Sequence, residues 1–181
     1  MVVNIRGDKT HELVDNALRV LENMSHRGAE GADGKSGDGA GIMVQIPHEF
    51  ILLQGIPVPE KGRYGTGLVF LPKETAKREC ILDCIKNEVE HEGCVLSHVR
   101  EVPVNSACLG EEAAKGEPFT VQIFVTSAEF IEEVDFERKL YTSASTSKGW
   151  GRTVISAPCP RAISYIKGCS PAVSCGSTMP T

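Results

Sequence analysis

The amino-acid pattern predicts a mixed helix and strand class, α/β or α+β, over residues 1–141. Two observations carry this. Apolar residues recur at helical spacing in residues 11–24 and 72–92, and short apolar runs separate them at 42–46, 64–71 and 119–125. A third observation bounds it: residues 142–181 contain no Asp or Glu, although the whole chain has 24.

Taken in order, Val2-Val3-Asn4-Ile5 reads as the end of a strand that turns at Gly7-Asp8. Thr10 is placed to cap a helix whose inner stripe is Leu13, Val14, Ala17, Leu18 and Leu21, running to about Met24. Ile42 to Ile46 reads as a short buried strand closed by Pro47, and His48 to Leu53 as a helical turn. Pro57 and Pro59 mark a loop, followed by a second buried strand, Tyr64 to Leu71. Pro72 to about Glu92 is a long amphipathic helix with Ile81, Leu82, Ile85 and Val89 inward. Cys94 to Val104 alternates as a strand, Leu109 to Lys115 is a short helix, Phe119 to Val125 a strand, and Glu129 to Tyr141 a charged helix.

The 181 residues suffice for one domain with a real core. Hydrophobic content is 41% and charged content 24%, ordinary for a water-soluble globular chain. A net charge of −5 gives no reason to expect nucleic acid or an anionic membrane as partner. No apolar run reaches membrane-spanning length, and no export signal is visible at Met1, so the expected compartment is the cytoplasm. The seven cysteines are then expected to be reduced thiols. Cys80 and Cys84 share one helix face; without a second Cys or His pair at zinc spacing, small core residues are favoured over half a metal site. No metal is expected.

The densest chemical signal is His26 to Gly41, where six of sixteen residues are Gly and Arg27, Glu30, Asp33, Lys35 and Asp38 lie between them. Glycine lets the main chain approach a ligand closely, and such a loop after a helix is more often a site than a connector. Gly34-Lys35-Ser36 looks like the end of a phosphate-binding P-loop, but the Gly that motif needs is Ala29, and a helix rather than a strand precedes it. That reading fails.

His26-Arg27-Gly28-Ala29-Glu30-Gly31-Ala32-Asp33, followed by Gly37-Asp38-Gly39-Ala40-Gly41, resembles the glutamine amidotransferase domain of the glutamate synthase large chain. Asn4 to Gly7, Gln45 to Phe50, Tyr64 to Pro72, Leu109-Gly110, Glu117-Pro118, Gln122 to Phe124 and Phe136 to Tyr141 continue the resemblance in order. It covers residues 1–141, read as a partial domain.

The resemblance implies an α+β, N-terminal-nucleophile hydrolase fold: an αββα four-layer sandwich, here incomplete. It further implies glutamine as substrate and hydrolysis to glutamate and ammonia by an N-terminal Cys, whose own α-amino group is the base and whose intermediate sits in an oxyanion hole. The ammonia would serve reductive amination of 2-oxoglutarate to glutamate, in further domains holding FMN and an iron–sulfur cluster and fed by a reductase subunit or ferredoxin. No cofactor is expected in the present fragment. Arg27 and Gly28 inherit the family's role of building the nucleophile's surroundings, with Asp38 and Gly39 as further lining residues. An Arg in such a loop can equally be a salt bridge that fixes it.

Two departures qualify the resemblance. The family's mature chain begins Cys-Gly-x-Gly-Phe, whereas this one starts at Met1 and its first cysteine is Cys80. No catalytic residue is therefore assigned, and the fragment is expected to be inactive. Residues 142–181 are Ser-rich, consistent either with a disordered linker or with a frameshifted, non-native tail. Reading the codons of that stretch one nucleotide earlier permits YICSLSSR-like and YKGML-like segments that resemble the family's continuation. The competing reading is a non-catalytic relative kept as a glutamine-binding or scaffold module.

Overall fold

The computed structural model describes residues 5–8, 10–29, 31, 33, 35, 37, 41–42, 44–129, 131–146 and 152–156. In chain order the elements are α1 (His11–Asn23), a 3-10 turn (Ser25–Arg27), α2 (His48–Leu53), β1 (Tyr64–Leu71), α3 (Thr75–His91) and β2 (Cys94–Glu101). A second 3-10 turn (Ser106–Cys108), α4 (Glu111–Lys115), β3 (Phe119–Ser127), α5 (Glu133–Thr146) and β4 (Arg152–Ser156) follow. The chain divides into two units, one of residues 1–43, 105–117 and 169–181, the other of 44–104 and 118–168.

In the first unit, Gly7 takes the positive φ of 78° that closes the expected turn before α1. Thr10 occupies the N-cap position, but its side chain makes no cap bond. The expected stripe of α1 forms only in part: Leu13, Val14, Ala17 and Leu21 are half-buried, Leu18 is 41% exposed, and no residue of the helix is fully buried. In the 105–117 segment, the Asn105 side chain accepts from the Ala107 amide at 3.1 Å. Ser106 donates its hydroxyl to the Glu117 carboxylate, tying the segment's two ends together.

The second unit is a four-stranded antiparallel sheet in the order β2-β3-β1-β4. Period-two alternation sends Val69 and Leu71 of β1 and Val121, Ile123 and Val125 of β3 to one face. Ile85 and Val89 of α3 and Phe136 and Leu140 of α5 cover that face and complete the main core. Gly65 explains how closely α5 can lie: a Cβ there would come within 2.6 Å of Leu140 Cδ1. At the other end of α3, Gly93 reverses the chain with φ of 72° and donates its amide to Glu90 O at 2.9 Å, a glycine-terminated helix end. The opposite face of the sheet carries a smaller cluster of Ile51, Ile56, Tyr64 and Phe124, with Ile46 and Val58 packed against it.

Several expectations need correction. Residues 44–46 form no strand: Val44 is 60% exposed, and only Ile46 packs, against the small cluster. A short apolar run does not by itself specify a pairing partner. The last helix starts later than Glu129 and runs on to Thr146, with the Thr142 and Ser143 hydroxyls donating to the carbonyls of Arg138 and Lys139. Cys80 is exposed and Cys84 half-buried rather than both being core, whereas Cys94 is 2% exposed. Cys80, Cys84 and Cys94 are free thiols. The strand expected at residues 2–5 falls largely outside the described residues.

Candidate functional site

The 3-10 turn places Arg27 and Gly28 directly after α1. Its hydrogen bonds run from Arg27 N to Met24 O at 2.8 Å and from Gly28 N to Ser25 O at 3.0 Å. They clamp the chain before it enters the Gly-rich loop. Both residues are exposed. Among the described residues Arg27 enters no ion pair. Gly28 has φ of −92°, and a Cβ there would meet Ser25 O at an ordinary 3.5 Å, so its own conformation does not demand glycine. Further along, the Lys35 amide donates to Asp33 Oδ1 at 3.1 Å, a local Asx turn. Asp38 and Gly39 lie outside the described residues.

The second unit carries polar features that the linear pattern did not single out. His48 Nδ1 and the Tyr64 hydroxyl are hydrogen-bonded at 3.0 Å, with Tyr64 only 1% exposed. Burial pushes the Tyr64 phenol above its ordinary value. Thr66 donates to Ile123 O at 3.0 Å and accepts from Gln122 Nε2 at 2.9 Å. Both pairings join residues distant in sequence, so no local signal announces them. A cavity of about 510 Å³ is lined in part by Arg63, Ser97, Thr126, Ser127, Glu129 and Glu133. Arg63 is already spent on Ile131 O at 3.1 Å, and the mixed charges select no single ligand.

Among the described residues, no group of three or more His, Cys, Asp or Glu side chains is placed to hold a metal ion. The four thiolates typical of an iron–sulfur cluster are likewise not brought together there, since the free thiols lie on α3 and at the start of β2. The described residues thus do not fit the cluster. None of their helices is long and apolar enough to cross a membrane.

The family model for glutamine amidotransferases class-II matches residues 1–170. The chain belongs to the class II glutamine amidotransferases. It is similar to the glutamate synthase [NADPH] large chain of Bacillus subtilis (strain 168), 38% identical over 156 residues, covering 84% of this chain and 10% of that protein. It is also similar to ferredoxin-dependent glutamate synthase 2 of Synechocystis sp. (strain ATCC 27184 / PCC 6803 / Kazusa), 40% identical over 148 residues, or 80% of this chain and 10% of that one. A third relative, glutamate synthase [NADH] of Schizosaccharomyces pombe (strain 972 / ATCC 24843), is 34% identical over 149 residues, covering 76% and 7%. The chain thus spans about a tenth or less of the length of these curated relatives.

Proposed function

We propose that this chain is part of the glutaminase domain of a glutamate synthase, which hydrolyses glutamine to glutamate and ammonia for the reductive amination of 2-oxoglutarate. The observation that carries the reading is the family match over residues 1–170, together with relatives that are all named glutamate synthases. Those relatives are named for three different electron donors, NADPH, ferredoxin and NADH. A segment shared across all three fits a step that precedes electron transfer. FMN, the iron–sulfur cluster and contact with a reductase subunit or ferredoxin belong, in this reading, to other parts of the whole enzyme, and the cytoplasm is its compartment.

The chemistry needs a thiol that attacks the side-chain amide, a base within reach and donors for the oxyanion. In the family the first two come from one residue, an N-terminal Cys bearing a free α-amine. The earliest cysteine among the 181 residues is Cys80, within α3, where its amine is an amide. Arg27 and Gly28 then act as a prepared wall around a nucleophile that these residues do not supply, with Asp38 and Gly39 as its continuation. The single sheet, with α3 and α5 on one face, corresponds to one half of an αββα sandwich. Half-buried Leu68, Phe70 and Gln122 on the other face fit a second sheet there.

The 181-residue polypeptide is expected to release no ammonia from glutamine above the uncatalysed rate. An otherwise identical chain beginning Cys-Gly-x-Gly-Phe ahead of Asn4 tests whether the nucleophile is the missing part. A second reading, a non-catalytic relative in which the stretch after Tyr141 is a working part, is favoured by two features. Helix α5 continues to Thr146, and β4 pairs with β1 from Thr66↔Ser156 to Phe70↔Arg152. The frameshifted-tail reading holds instead that this stretch is non-native. Calorimetry separates them: a glutamine-binding module gives heat on titration with glutamine, and an incomplete domain gives none.

A further inference from the structure

The sheet face opposite the main core carries a cation that the described residues leave unanswered. Arg100 of β2 stands across from Gln122 of β3 in the ladder, so the two side chains share that face. Gln122 donates its amide to the Thr66 hydroxyl at 2.9 Å, and Thr66 donates in turn to Ile123 O at 3.0 Å. Arg100 has no such outlet. It is half-buried, its Nε is buried without a hydrogen-bond partner, and among the described residues it enters no ion pair. A guanidinium keeps its charge, so burial cannot be relieved by losing a proton. The four strands contain one acid, Glu101. It pairs with Val121 and so belongs to the core side.

We propose that Arg100 is a charge anchor: it pairs with an Asp or Glu side chain of the polypeptide layer that covers this face. The inference rests on the glutaminase reading above, which calls for a second sheet here, and adds the group that holds that sheet in place. The small cluster around Phe124 takes up one end of the face. Toward the other end Leu68, Phe70, Gln122 and Arg100 are all half-buried, so the occupant must meet apolar surface and a fork-shaped cation together. A purely apolar cover would seal the charge in unpaired. A small free carboxylate would answer the charge but leave Leu68 and Phe70 without a partner. A second copy of the same face would bring two Arg100 side chains together with no acid between them. A carboxylate carried on an apolar sheet meets both demands, and Arg accepts it in a two-point geometry.

The test follows hydrogen exchange of the peptides spanning β2 and β3 in Arg100→Met and Arg100→Lys. Two backgrounds are compared: the 181-residue chain, and the full enzyme expressed from the gene with its reading frame restored. In the 181-residue chain the cation lacks its partner, so Arg100→Met is expected to leave exchange of β3 unchanged or slower. In the full enzyme the same change strands the partner carboxylate, and exchange is expected to rise about tenfold or more. Arg100→Lys, which keeps the charge but not the fork, falls between. Faster exchange of the Arg100→Met variant in the 181-residue chain, or unchanged exchange in the full enzyme, would overturn the proposal. So would protection of the 181-residue chain by sodium acetate over sodium chloride at equal ionic strength, if Arg100→Met abolishes it, since the partner would then be a free carboxylate. Ammonia release scores the glutaminase reading separately. A full enzyme that releases ammonia while its β3 exchange ignores Arg100→Met overturns this inference alone.

Discussion

At the scale of single residues, the structure turns on contacts that leave no room for change. Gly65 has an ordinary backbone, so the case for glycine there is packing: Leu140, 1% exposed, occupies the space a methyl would need. Gly65→Ala is expected to cost about 1–3 kcal/mol, the usual range for overpacking a core, read as a lower urea midpoint at unchanged slope. Adding Leu140→Val should recover part of the loss, giving a non-additive cycle. Tyr64 supplies a pH test. Burial favours its protonated form in the folded state, so its contribution is complete below the unfolded value of about 10 and is lost as pH rises through the higher folded value. Melting temperature should therefore fall more steeply above about pH 10 in the wild type than in Tyr64→Phe. Cys94, whose thiol burial likewise raises, adds the same sign of slope from a lower pH.

At the scale of elements, stability rests on how the helices end and where they dock. Gly93 stops α3 in a conformation that L side chains rarely adopt, and Lys139 Nζ lies 3.1 Å from where a Cβ would stand. Gly93→Ala is expected to destabilise the second unit by about 1 kcal/mol, visible in thermal unfolding. Arg78 of α3 stacks 3.9 Å from the centre of the Phe119 ring on β3. Arg78→Ala should accordingly cost about 0.5–1 kcal/mol, a loss that Lys at that position only partly restores. These are also the elements where sequence and structure compare most clearly. Strand β1 was legible to the residue, Tyr64 to Leu71, because Gly and Pro bracket an apolar run too short for a helix. The inner stripe of α3 was legible for the same periodic reason, with Ile85 and Val89 buried. Residues 44–46 look alike in sequence but have no pairing partner among the described residues, and a partner is a property of the fold rather than of the run. The exposure of Cys80 was hidden because its spacing from Ile81 and Cys84 fits either edge of the stripe.

At the scale of the molecule, the motif order carried the family, and the family carried the reading of the loop. Arg27 and Gly28 were singled out through the resemblance, and they follow α1 in a 3-10 turn. The His48–Tyr64 and Thr66–Gln122 pairs were not found, since each joins residues brought together only by the sheet. The central claim is that these residues form part of a glutamate synthase glutaminase domain, and the proposal that goes with it is a Cys codon ahead of Met1 and a break of frame near Tyr141. Sequencing the DNA upstream of the Met1 codon and across the Tyr141 codon tests it most directly. The account expects an in-frame Cys-Gly-x-Gly-Phe run upstream and a gain or loss of one or two bases near Tyr141. An intact frame with no upstream Cys codon would contradict it and leave a nucleophile-free relative in its place.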